Sequence, residues 1–252
     1  MLTEKRFDMI LQLLNEKKSV TVTELIKYLK TSESTVRRDL NALDQAGRLV
    51  KVFGGAVAKE MAIVSEEPSV KQKMDVNMEQ KRMIARYAAT LVEAGDFIYL
   101  DAGTTTGLMI DYLTEKNITV VTNAVDHAKQ LAAREIRVLL IGGELKNTTE
   151  AIVGNQAILN IQSYHFSKGF FGTNSVSKKE GFTTPDYNEA LVKKTALSAC
   201  YKKYILCDSS KFDRVSSVTF APINEGTVLT EKPPRGMLGG SDNIVVVDGL
   251  PK

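Results

Sequence analysis

TSESTVRRDL, residues Thr31 to Leu40, decides how the first quarter of this chain folds. Ser32, Ser34 and Thr35 stand beside the paired guanidiniums of Arg37 and Arg38. Val36, Leu40 and, further on, Leu43 recur at helical spacing and give the segment a buried side. At ~100° per residue, Ser34, Arg38, Asn41 and Gln45 gather opposite that stripe, with Arg37 on its flank. Ser32 or Ser34 is placed to cap the helix. The competing reading is a solvated face on which Arg37 and Arg38 pair with Glu33 or Asp39.

The flanking residues choose between the two. Phe7, Ile10, Leu11 and Leu14 predict a helix over residues 3–17. KKSVTV breaks the period as a short extended piece. Thr23 is expected to cap a second helix whose stripe is Leu25, Ile26 and Leu29. After Gly47, RLVKVFGGAV predicts two short strands around Gly54-Gly55. Three amphipathic helices followed by a hairpin make a winged helix-turn-helix, whose third helix enters the major groove of double-stranded DNA. Arginine contacts guanine or phosphate bidentately, and short hydroxyls let the backbone approach phosphate oxygens. Ser32, Ser34, Thr35, Arg37, Arg38 and Asn41 are the expected readers, and Arg48 and Lys51 the wing contacts.

Charge agrees. The net charge of +3 falls wholly within residues 1–60, which hold 11 Lys/Arg against 8 Asp/Glu; the remainder balances at 22 each. Cys200 and Cys207 are too few for a disulfide framework and are spaced for neither a metal nor a redox motif, so they read as reduced thiols. No run approaches the ~18–20 apolar residues of a membrane span. The amphipathic beginning has no signal-peptide character. A cytoplasmic protein is expected, with no membrane partner, cofactor or metal.

The stretch TVTELIKYLKTSESTVRRDLNALDQAGRLVKVFGGA resembles the N-terminal domain of the DeoR family of bacterial transcription regulators. The residues that carry this are Ser32, Thr35, Val36, Arg37, Arg38, Asp39, Leu40, Leu43, Gly47, Gly54, Gly55 and Ala56. The domain is taken as residues 1–57, and 58–77, which has no sustained period and contains Pro68, as a linker.

From 78 to 252 apolar strands alternate with helices. Met83, Ile84, Tyr87, Ala88 and Leu91 predict a helix. Strands at DFIYLDAG, ITVVTN, RVLLIGG, KGFFGTN and KYILCDSS argue for an α/β domain with a largely parallel sheet. Ligands of such sheets bind beyond the strands' carboxyl ends. Five polar stretches fall there. DAGTTTG, with Asp101, Gly103, Thr104, Thr105 and Thr106, offers a phosphate cradle without the lysine of a nucleotide P-loop, although threonine at a helix start is more often a cap than a ligand. Thr122-Asn123 ends the next strand, and Gly172 in GFFGTN permits close backbone approach. Glu189 and Lys193 share a helix face, a spacing also common for surface pairs. Asp208 and Lys211 follow the last strand. The set suits a small phosphorylated polyol.

This half also resembles the DeoR family's C-terminal sensor domain, which implies a fold shared with ribose-5-phosphate isomerase and certain CoA transferases. The resemblance runs from Leu2 to about Thr230. It implies that Asp101, Gly103, Thr104, Thr105 and Thr106 hold a sugar phosphate, and that Thr122, Asn123, Gly172, Glu189, Lys193, Asp208 and Lys211 line the rest of the pocket. Ser175, His165 and Glu231 depart from the family pattern. The likeness is greatest to fructose operon repressors of Gram-positive bacteria and implies fructose 1-phosphate as inducer; tagatose 6-phosphate and glycerol 3-phosphate stay open. Reading one operator needs a homodimer or homotetramer. The alternative is a sugar-phosphate isomerase with Glu189 as base and Lys193 or Lys211 stabilising charge, but an isomerase has no use for a winged helix.

Overall fold

The computed structural model describes residues 2–17, 19–52, 54–58, 63–64, 69–234 and 242–247. Phe53 of the expected hairpin and Pro68 of the expected linker lie outside them. The chain forms two compact units, Met1–Ala62 and Ile63–Lys252.

In the first unit, α1 (Thr3–Lys17), α2 (Val22–Leu29) and α3 (Glu33–Gln45) enclose an apolar core, while β1 (Ser19–Thr21), β2 (Val50–Val52) and β3 (Gly55–Val57) form a small sheet. Ile10, Leu25, Val36, Leu40 and Leu43 are fully buried, which is why the helical stripes fold onto one another. The cap of α2 is Thr21 rather than Thr23: its hydroxyl accepts from Glu24 N at 3.1 Å, and the Glu24 carboxylate accepts from Thr21 N at 2.9 Å. This reciprocal pair satisfies two otherwise orphaned amides, an arrangement Thr23 has no glutamate to match. Ser32 caps α3. The antiparallel order is β1-β3-β2. Gly54 takes the left-handed backbone of the turn (φ 82°), whereas Gly55 already belongs to β3. A Cβ on Gly55 would stand 2.1 Å from Val20 O, so glycine is required there by close strand approach.

The second unit begins with β4 (Ile63–Val64), α4 (Val70–Met74) and α5 (Met78–Ala89). It continues with β5 (Phe97–Leu100), α6 (Thr104–Met109), β6 (Thr119–Thr122), α7 (Val125–Ala133) and β7 (Arg137–Leu140). A hairpin, β8 (Glu144–Lys146) and β9 (Ala151–Val153), leads to α8 (Asn155–Gln162) and β10 (Phe166–Gly172). Then come β11 (Ser175–Ser177), β12 (Gly181–Thr184), α9 (Tyr187–Ser198) and β13 (Cys200–Leu206). The described chain ends with β14 (Val215–Ser216), β15 (Val218–Ala221), β16 (Thr227–Thr230) and β17 (Ile244–Val246).

Seven strands pair in parallel in the order β17-β16-β13-β10-β5-β6-β7. Alternate side chains feed two cores. Ile98, Leu100, Val120 and Phe170 pack against Ile84, Met109 and Leu131 on one face. Tyr99, Val121, Phe171 and Ile205 pack with Ala157, Ile161, Val192 and Ala196 on the other. The sheet is therefore sandwiched between helices, as parallel sheets require. Met83, expected on the buried stripe of α5, is 44% exposed; that stripe is Lys81, Ile84, Ala85 and Ala88.

Strand order reverses between β5 and β10: later strands run outward from β5 on one side and from β10 on the other. A crevice opens outside the carboxyl ends at such a switch point. Gly103 and Gly172 face each other there, a Cβ on Gly172 standing 3.6 Å from Gly103 Cα.

Candidate functional site

Helix α3 offers a polar face free of core duties. Ser32, Ser34, Arg37, Arg38, Asn41, Arg48 and Lys51 are exposed, and Thr35 is half-buried. Asp39 turns inward instead: buried, it accepts from Arg6 Nε at 2.7 Å and Arg6 Nη2 at 3.0 Å and ties α1 to α3. It therefore cannot neutralise its arginine neighbours. Arg37 is held by Glu33 at 2.8 Å, while Arg38 makes no ion pair among the described residues. Lys51 on β2 donates to Asn41 Oδ1 at 2.6 Å and joins the wing to α3. Arg48 lies a loose 3.9 Å from Asp8.

In the second unit, a cavity of about 170 Å³ sits at the switch point. Gly103, Thr104, Thr105, Gly172, Glu189, Lys193, Asp208 and Lys211 all line it. Glu189 and Lys193 are buried rather than paired on a surface, and each is held by a different partner. Lys193 Nζ donates to Asp101 and, at 3.1 Å, to Gly172 O, while Asp101 accepts from Gly172 N at 3.0 Å. This network clamps the ends of β5 and β10 to α9. Glu189 accepts from Thr149 Oγ1 and from Lys146 Nζ at 3.1 Å. Asp208 accepts from Asn77 Nδ2 at 2.9 Å and Ser210 N at 3.1 Å.

Four expected residues stand behind the wall rather than in it. Asp101 reaches the cavity only through Lys193 and Gly172. Thr106 accepts from Gly103 N at 2.9 Å and donates to Asp101 O at 2.6 Å. Thr122 accepts from Ala124 N at 3.1 Å. Asn123 accepts from Ala102 N at 3.0 Å and donates to Ile152 O at 3.2 Å. Their polar atoms are engaged by the backbone of the cradle and, for Asp101, also by Lys193.

Lys73, Lys81 and Thr149 also line the cavity, and the sequence reading did not single them out. Lys81 is buried and donates to Lys73 O. Burial depresses its pKa, with Asp208 opposing and Lys211 and Lys73 assisting. A lysine in register with Ile84, Ala85 and Ala88 was the available signal, since a charge within an apolar stripe needs a reason. Lys73 and Thr149 come from α4 and the β8–β9 turn, which no local pattern joins to the sheet.

The departures from pattern are locally accounted for. Ser175 Oγ lies 2.9 Å from Ser216 Oγ, Glu231 accepts from Ser209 N at 3.0 Å, and His165 is exposed. Both cysteines are free and buried, and burial pushes the Cys200 thiol up to about 12, so neither suits thiolate chemistry. Among the described residues no group of side chains is arranged to hold a metal and no helix is long and apolar enough to cross a membrane.

A winged helix with an open arginine face, followed by a doubly wound unit with a charged crevice, defines a DNA-binding regulator that carries its own sensing unit. The DeoR-like helix-turn-helix domain family matches residues 6–62, and the DeoR C-terminal sensor domain family matches residues 76–232. The chain belongs to the DeoR family: it is a transcriptional regulator and not an enzyme. It is 43% identical over 231 residues to the uncharacterized HTH-type transcriptional regulator FruR of Bacillus subtilis (strain 168), covering 91% of each chain. It is 35% identical over 229 residues to the lactose phosphotransferase system repressor of Streptococcus mutans, covering 90% of each. Among solved structures, ribose 5-phosphate isomerase A from Neisseria gonorrhoeae is similar over 56% of each chain, at 21% identity and a TM-score of 0.42.

Proposed function

We propose that this protein represses a sugar uptake operon, that of fructose, and releases its operator when a phosphorylated sugar, fructose 1-phosphate, fills the crevice of the second unit. Ser32, Ser34, Thr35, Arg37, Arg38, Asn41, Arg48 and Lys51 contact the duplex. Gly103, Thr104, Thr105, Gly172, Glu189, Lys193, Asp208 and Lys211 contact the sugar phosphate, with Asp101, Thr106, Thr122 and Asn123 holding that wall in place. The observation that carries the reading is four lysines, Lys73, Lys81, Lys193 and Lys211, around one cavity at the sheet's switch point. Such a concentration of cations, with Lys81 and Lys193 buried, suits a phosphate. Glu189 and Asp208 supply acceptors for sugar hydroxyls. The relatives' names, a FruR regulator and a repressor of a lactose phosphotransferase system, support the operon class.

The protein works as a homodimer or homotetramer in the cytoplasm, because one short helix reads too few base pairs for specificity. Control needs only that the ligand prefer the state that binds DNA poorly. The test is a mobility-shift titration against duplexes from the promoter region of the gene's own operon, with and without fructose 1-phosphate. Specific retardation reversed by the sugar phosphate supports the reading; no specific duplex, or steady turnover of the sugar, defeats it.

A further inference from the structure

A second cavity of about 180 Å³ adjoins the first. Val70, Ala102, Gly103, Thr104 and Thr149 line both, so the two are lobes of one crevice divided by the Ala102–Thr104 ridge. Each lobe alone is smaller than the ~300 Å³ at which small-molecule sites begin, and together they reach it.

The lobes differ in chemistry. The first carries Lys73, Lys81, Lys193 and Lys211 against Glu189 and Asp208. The second is lined by Asp111, Asp126 and Glu150, with Met74, Met78 and Leu108 as apolar surface, and by no lysine or arginine among the described residues. The nearby Arg134 is turned onto Asp111, at 3.7 Å. Gln130 donates to Asp126 at 2.6 Å. His127 also lines this lobe; it is 8% exposed, and its Nδ1 has no hydrogen-bond partner. Burial lowers its pKa to about 4, so the ring is neutral near pH 7 and adds no positive charge.

Resting on the sugar-phosphate reading, we infer that the crevice takes a polyol monophosphate of about hexose length, its phosphate among the lysines and its hydroxyl tail over the ridge in the His127 lobe. The three carboxylates accept from hydroxyls and repel a second phosphate. The site thus selects against both short phosphate esters and bisphosphates.

The full-length protein is titrated calorimetrically with glycerol 3-phosphate, fructose 1-phosphate and fructose 1,6-bisphosphate. Fructose 1-phosphate is expected to bind at least tenfold more tightly than either of the others. Leu108→Trp, which fills the second lobe, should erase its advantage over glycerol 3-phosphate. Asp126→Lys, an exposed position on α7, should raise bisphosphate affinity at least tenfold. A cooperative thermal transition of the second unit matching that of the wild type certifies the fold of both variants. Equal affinity of the wild type for mono- and bisphosphate, or Leu108→Trp with its preference intact, overturns the inference while the phosphate site stands. Failure of the wild type to bind all three esters overturns the phosphate site and the inference with it.

Discussion

Arg37 and Arg38 are adjacent in sequence but differently placed. Glu33 holds the first, and the second projects without an ion pair among the described residues. Arg38→Ala is therefore expected to cost about 1–3 kcal/mol of operator discrimination, roughly 5- to 150-fold, with little change in sugar-phosphate affinity. Arg37→Ala should cost less. Competition binding against nonspecific duplex measures both, and equal losses would count against the assignment. The sequence showed which face carries these arginines. It left open that Asp39 belongs to Arg6, 33 residues away, because only folding brings them together. In the second unit, Asp101 and Lys193 are buried partners. Asp101→Ala strands a buried ammonium and should destabilise this unit by about 3–5 kcal/mol, more than Asp101→Ala combined with Lys193→Met. Urea midpoints decide; a double variant worse than the single one contradicts the pairing. His127 supplies a pH signature. Its unfolded pKa lies near 6.5 and its folded value near 4, so the unfolded chain binds the extra proton between them. Stability is whole above pH 6.5 and declines as pH falls toward 4, by on the order of 2 kcal/mol at pH 5 from a folded value of about 4. A His127→Gln variant should lack that part of the acid sensitivity, and an unchanged pH profile would refute the assignment.

At the scale of elements, the wing turns on two glycines with different tasks. Gly54 has the left-handed backbone and open space around it, so Gly54→Ala is expected to cost about 1–2 kcal/mol in backbone strain. Gly55 has an ordinary backbone, yet a Cβ would collide with Val20 O. Gly55→Ala should damage the first unit more than Gly54→Ala, displacing β3 from β1 and weakening DNA binding. Paired thermal denaturation and operator titration test the ranking, and the reverse order would show that the sheet tolerates separation. The GG dipeptide was legible as a hairpin; its division of labour depends on β1, paired from outside the hairpin. The cap of α2 shows the same limit. Thr21 and Thr23 both suit the position by type, and the Glu24 side chain settles it for Thr21. The alternating strands and helices were legible because each carries its own period. Lys73 and Thr149 were not, because the crevice borrows them from short elements without one.

In the whole molecule, the proposed reader of duplex and sensor of phosphate are coupled through linkage alone. If the sugar phosphate weakens operator binding by some factor, operator must weaken sugar-phosphate binding by the same factor. The most direct measurement is fluorescence anisotropy of a labelled operator duplex with full-length protein as fructose 1-phosphate is added, for wild type and for Lys211→Met, which removes a lysine of the cavity without stranding a buried partner. The account predicts saturable release from the wild type and retention by the variant, whose operator affinity without sugar is unchanged. Release that is identical in the variant, or operator binding by the wild type that ignores every phosphorylated sugar, would contradict it.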